Sequence, residues 1–145
     1  LSSLETTVRN SITRAQKSPT TLRSLILQLP KEFSKEEVKI VSSVVEERVD
    51  IADCPIVVAK VSEEDRFFAF DDSPSGVLRR GTCIKLGINE YLLYTEGSDE
   101  KGAWRSRLPT ALRVRIQKST DPSANLSIIS QILDLSLMNW RGFNA

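Results

Sequence analysis

The sequence predicts an α/β domain: a mixed sheet of five or six strands with helices packed on it. Three observations carry that reading. Apolar residues recur at helical spacing in three separate stretches, they run on or alternate in several others, and one well-marked helix lies between two strand-like runs. The chain has 145 residues, of which 40% are hydrophobic and 27% charged, the size and balance of one ordinary domain. Such a domain buries roughly 68–70% of the surface its unfolded chain exposes, so a core needs no disulfide or metal to hold it.

Leu4, Val8, Ile12 and Ala15 form one stripe of an amphipathic helix, which the Ser/Thr-rich residues around Pro19 end. Residues 22–29 are an apolar run of strand length, closed by Pro30 because proline cannot donate to a sheet ladder. Ser34 and Glu37 have the spacing of a capping box, and Val38, Val41, Val45 and Val49 follow as the buried stripe of a second helix. Glu36, Lys39, Glu46 and Glu47 fall on its outer side. Residues 54–61 read as a strand parallel to the first, since a helix separates the two. Shorter β-rich runs follow at 66–70, 81–86 and 90–95, with turn chemistry at 71–76 and 87–89 and a polar loop over 96–108. Residues 111–118 alternate strictly: Leu112, Val114 and Ile116 face one way, Arg113, Arg115 and Gln117 the other. That pattern suits an edge strand with a solvated face, or a basic face that tracks a phosphate backbone. The last helix uses Ile129, Ile132, Leu133 and Leu137 and leads into Met138, Trp140 and Phe143.

Several chemistries are excluded. Histidine is absent, which removes His-based triads, His metal sites and imidazole acid–base catalysis. Cys54 and Cys83 have no C-x-x-C partner and read as free, buried thiols of a reducing compartment. Neither a G-x-x-x-x-G-K-[ST] phosphate loop nor a G-x-G-x-x-G fingerprint occurs, and no apolar run approaches the ~20 residues of a membrane span. Glu63-Glu64-Asp65 and Asp71-Asp72 read as solvated loop clusters rather than metal ligands. The net charge of +1 hides an asymmetry: residues 1–78 sum to −3 and residues 79–145 to +4. The second part is weighted toward arginine, the side chain that grips phosphate with a planar fork. The chain opens on Leu1 rather than Met and is read as a piece of a larger protein.

The order of these features resembles a known family. Arg80-Gly81-Thr82 opens a strand, Tyr94-Thr95-Glu96-Gly97 closes the next, Pro109-Thr110-Ala111-Leu112-Arg113-Val114-Arg115 opens a third, and the final helix ends in Asn139-Trp140-Arg141. With the strand–helix–strand unit before them, these pieces resemble the C-terminal part of the PIWI domain of Argonaute proteins, closest to the prokaryotic branch, over nearly the whole chain. The resemblance implies an RNase H-like fold, with residues 1–145 forming part of one such domain, that holds a guide strand of RNA or DNA and its complementary target. In catalytic members an aspartate ends the strand matching 22–29, in an R-D-G-like context. Here those positions read Leu29-Pro30-Lys31, and a proline cannot ligate a metal. The resemblance is therefore to the short, inactive prokaryotic members, cytoplasmic proteins of defence against invading DNA, in which the guide-binding module controls an associated effector protein.

Carried over residue by residue, Arg141 matches the basic position that reaches the guide 5′ region, Arg113 and Arg115 lie on the strand bordering the guide backbone, and Arg107 lies in the loop before it. Leu108 stands where the family often has the basic residue next to the loop proline. Other implied partners are the MID domain and a magnesium ion at the guide 5′-phosphate in the parent protein, with no cofactor carried by this chain and no membrane. Two other readings stand beside this one: a slicing nuclease whose carboxylates lie outside these residues, and a PIWI-like module that binds protein.

Overall fold

The structure, a computed structural model, describes residues 2–17, 24–48, 54–64, 66–98 and 109–137. In chain order these form α1 (Ser2–Gln16), β1 (Leu25–Leu29), α2 (Lys35–Glu46), β2 (Ile56–Glu64), β3 (Cys83–Gly87), β4 (Glu90–Tyr94), β5 (Ala111–Ser119) and α3 (Asn125–Leu137), the last entered through a 3-10 turn over Pro122–Ala124. Among the described residues, five strands make one mixed sheet in the order β1-β2-β5-β4-β3. Only β1 and β2 are parallel, and α2 is the crossover that parallel pairing requires. The other pairs are antiparallel, with β3 and β4 joined by the two-residue turn Ile88-Asn89.

Local chemistry explains α2 well. Its capping box is formed, the Glu37 amide donating to Ser34 Oγ at 3.1 Å and the Ser34 amide to Glu37 Oε2 at 2.8 Å. Such a cap stabilises a helix by about 1 kcal/mol. Val41, Val44 and Val45 are buried, so the apolar stripe is wider than expected: Val44 is covered as well, because α2 packs on α1 as well as on the sheet. Val49 lies outside the described residues.

The two faces of the sheet carry separate cores. Val8 and Ile12 of α1 and the valines of α2 cover Leu25, Leu27, Leu29, Ile56 and Val58. On the opposite face, Ile128, Ile129 and Ile132 of α3 cover Val57, Ala59, Tyr91, Leu93, Val114 and Ile116. Ile128, absent from the expected stripe, is among the most buried side chains.

Four expectations are corrected. Strand β5 is not at an edge: β2 pairs with one side of it and β4 with the other, so its alternation marks an apolar face under α3 and a polar face, not an open edge. Residues 66–70 form no strand: the β2–β5 ladder ends at the Glu64–Ala111 pair, and of 66–70 only Phe70 makes an isolated bridge, to Val77. Glu64 is not a solvated loop residue; it ends β2 and is only 3% exposed. Cys54 is buried and free as expected, whereas Cys83 is free but exposed, since β3 is an edge strand with little covering it.

Candidate nucleic-acid interface

Arg113 and Arg115 point from β5 toward the same face as α1 and α2, but beyond the reach of those helices. Farther along that face, Leu78, Ala69 and Ile84 cover Leu92, Tyr94 and Ala111. Between the two apolar patches lies a polar cleft of about 240 Å³, lined by Lys60, Ser62, Glu63, Glu64, Arg66, Arg113 and Arg115. The β2–β5 register sets Lys60 opposite Arg115 and Ser62 opposite Arg113, and the β4–β5 register sets Glu90 opposite Arg115.

The charges of the cleft alternate in a connected line. Arg113 donates from Nη1 to Glu64 Oε2 at 2.8 Å and from Nε to Glu90 Oε1 at 2.7 Å. Arg115 donates to the same Glu90 oxygen from Nη2 at 2.9 Å and from Nη1 to Glu32 Oε1 at 2.7 Å. Glu32 in turn lies 3.7 Å from Lys60 Nζ. Gln117 explains how Glu32 arrives there: its amide accepts from the Phe33 N–H at 2.8 Å and donates to the Phe33 carbonyl at 3.0 Å, clamping the β1–α2 loop onto β5.

Glu64 is held below the ordinary carboxylate range first by the Arg66 amide and then by Arg113. Glu90 is held low by Arg113 and then Arg115, while Glu90 foremost raises both guanidinium values further. All four groups therefore keep their charge at neutral pH. An arrangement of this kind can hold a ligand by charge and hydrogen bonding.

The segment after β2, which lines the cleft through Arg66, carries aromatic side chains. The Arg66 amide donates to Glu64 Oε1 at 2.9 Å, and the Ala69 amide donates to the buried Tyr94 hydroxyl at 3.1 Å. Phe67, between these two anchors, has its ring centroid 5.8 Å from the Arg113 guanidinium carbon, within cation–π range.

The quoted motif segments meet beside this cleft. The Gly81 amide donates to the Tyr94 carbonyl at 2.8 Å, and the Tyr94 amide to the Thr82 carbonyl at 2.9 Å. Gly81 has φ +85°, a conformation that side-chain-bearing residues rarely adopt. At Gly97 a Cβ would lie 2.3 Å from the Leu78 carbonyl oxygen and 2.7 Å from the Arg80 amide nitrogen, so only glycine fits. These motif residues are positional: they fasten the 78–82 and 94–98 segments together, and Tyr94 pairs with Ala111 at the start of β5.

At the C-terminal end of β1, Leu29 and Pro30 open on an apolar groove of about 280 Å³, shared with Val61, Leu112, Ile132 and Leu135. Among the described residues no three His, Cys, Asp or Glu side chains converge as ligands, and Glu64 and Glu90 are engaged by arginine. No described helix is long and apolar enough to cross a membrane.

Of the four arginines expected to bind a strand, Arg113 and Arg115 come together in this cleft, while Arg107 and Arg141 lie outside the described residues. Sequence reasoning missed Glu32, Glu64, Glu90 and Gln117. One signal existed: two arginines alternating with Leu112, Val114 and Ile116 on one strand need anionic neighbours, and Glu90 opens an earlier β-rich run. No protein-family model matches the chain, and no curated protein matches it.

Proposed function

We propose that this chain is the strand-holding part of an RNase H-like PIWI domain of an Argonaute protein, binding a guide of RNA or DNA and its target without cleaving them. The observation that carries the reading is the convergence of the three motif segments, separated in sequence, around Tyr94 and the start of β5, beside the cleft that holds Arg113 and Arg115. The parallel β1–α2–β2 unit supports it, as does Pro30 on an apolar groove where catalytic members of the family carry an aspartate.

In this reading the protein positions and does no chemistry. Arginine and lysine contact phosphates without reading bases, and guide–target pairing supplies specificity. Arg113, with two carboxylates on it and mostly covered, acts as a strut; Arg115 and Lys60, reached through the half-exposed Glu32, present charge to a phosphate. The MID domain, the 5′-phosphate magnesium and an effector protein belong to the parent protein.

The test is binding of a 5′-phosphorylated single strand by the full-length protein across a salt series, wild type against Arg115→Glu and Arg141→Glu. Each variant is expected to weaken binding and to lower the salt slope by about one unit, as one phosphate contact is lost. Unchanged affinity and slope in both variants would move the function to protein contacts. Cleavage of a complementary target with magnesium present would establish a slicer instead.

A further inference from the structure

Phe67, Phe68 and Phe70 are 50%, 55% and 63% exposed, an unusual amount of aromatic surface for one short segment. The backbone that carries them is not loose. Glu64 holds the Arg66 amide, Tyr94 holds the Ala69 amide, and Phe70 bridges to Val77 across the 71–76 turn. A segment clamped at both ends keeps its rings in place without burying them, so little ordering cost remains when a flat ligand settles on them.

We propose that Phe67 and Phe68 form a stacking platform for unpaired bases of a nucleic-acid strand whose phosphates run along the neighbouring cleft. The inference rests on the strand-holding reading above and adds a second kind of contact to it. Charge complementarity selects this occupant. The Arg113 guanidinium sits 5.8 Å from the Phe67 centroid, and the Arg66 side chain, 81% exposed with its Nε 3.6 Å from the Glu64 carboxylate, stands next to Phe67 in sequence. Apolar rings edged by cations match a strand that presents π-faces and phosphates in alternation. Every base has such a face, so the platform is indifferent to sequence.

The experiment uses the full-length protein with two 5′-phosphorylated strands of equal length and charge, one of oligo-thymidine and one wholly abasic. Phe67→Ala and Phe68→Ala are compared with wild type, and Phe67→Trp serves as the conservative variant. On oligo-thymidine each alanine variant is expected to bind about five- to a hundredfold more weakly, the worth of one base–aromatic stack. The tryptophan variant should bind at least as tightly as wild type, and the salt slope should not change. On the abasic strand all four proteins should bind alike. An equal loss on both strands, or no loss on either, overturns the platform and leaves the phosphate reading standing. Failure of wild type to bind either strand overturns both.

Discussion

Tyr94 ties the core to the aromatic segment, and Tyr94→Phe isolates that tie. The ring is 2% exposed and packs with Leu78, Leu92 and Ala111, so phenylalanine keeps the packing and loses only the hydroxyl. What disappears is the 3.1 Å bond from the Ala69 amide. A net hydrogen bond contributes about 0.5–1.5 kcal/mol, and a buried group left without a partner costs about 1–3 kcal/mol. Ala69 is only half-buried, so water replaces part of the loss, and the expected destabilisation is about 1–2 kcal/mol. With a urea m-value of about 2 kcal/mol/M for a domain of this size, the midpoint should fall by about 0.5–1 M with m unchanged. Hydrogen exchange at the Ala69 amide should accelerate more than exchange within β1 or α2, which share none of this contact. An unchanged midpoint together with unchanged protection at Ala69 would refute the claim that Tyr94 anchors the segment.

Three further outcomes follow from the same geometry. Leu93→Ala empties a fully buried site under α3 and should cost about 3–5 kcal/mol, whereas Leu126→Ala, on the exposed side of α3, should stay within about 0.5 kcal/mol; urea titration separates them. Gly97→Ala forces a methyl group against the backbone of residues 78–80 and should break the pairing of the Ser98 amide with the Leu78 carbonyl, seen as lost exchange protection at Ser98 and a lower thermal midpoint. Glu64 and Glu90 are held below the usual Glu value in the folded state, so their contribution to stability is complete above about pH 5 and is lost as pH falls through their folded values. Glu90→Gln should therefore flatten the fall of the urea midpoint between about pH 5 and pH 3, and an unchanged slope there would count against the ion-pair line.

A ligand on the cleft must contend with the carboxylates already in it. Glu64 and Glu90 each accept from two or more donors and have covered surroundings, so they stay with Arg113. Glu32 is half-exposed and sits on the clamped β1–α2 loop, between Arg115 and Lys60. In the strand-holding reading proposed above, it is the carboxylate that a phosphate would displace first, since a solvent-exposed ion pair is worth little.

What the residues determined alone is whatever depends on near neighbours in the chain. The Ser34–Glu37 box, the valine stripe of α2, the α1 stripe through Val8 and Ile12, and the parallel relation of β1 and β2 follow from spacing, capping chemistry and the need for a crossover. The alternation of β5 was legible in the same way, and so were the two inward-facing valine and isoleucine positions at Val114 and Ile116. Tertiary structure alone decided that β5 lies in the middle of the sheet, because strand order depends on pairings between residues dozens of positions apart. It also decided that Arg113 meets Glu64 and Glu90, residues 49 and 23 positions away, so that a cationic face became an alternating line of charge. The exposure of Phe67 and Phe68 belongs to the same class. Hydrophobic sequence favours burial, but the β2–β5 ladder ends at the Glu64–Ala111 pair, and the anchors at Glu64 and Tyr94 hold the segment with both rings half-exposed.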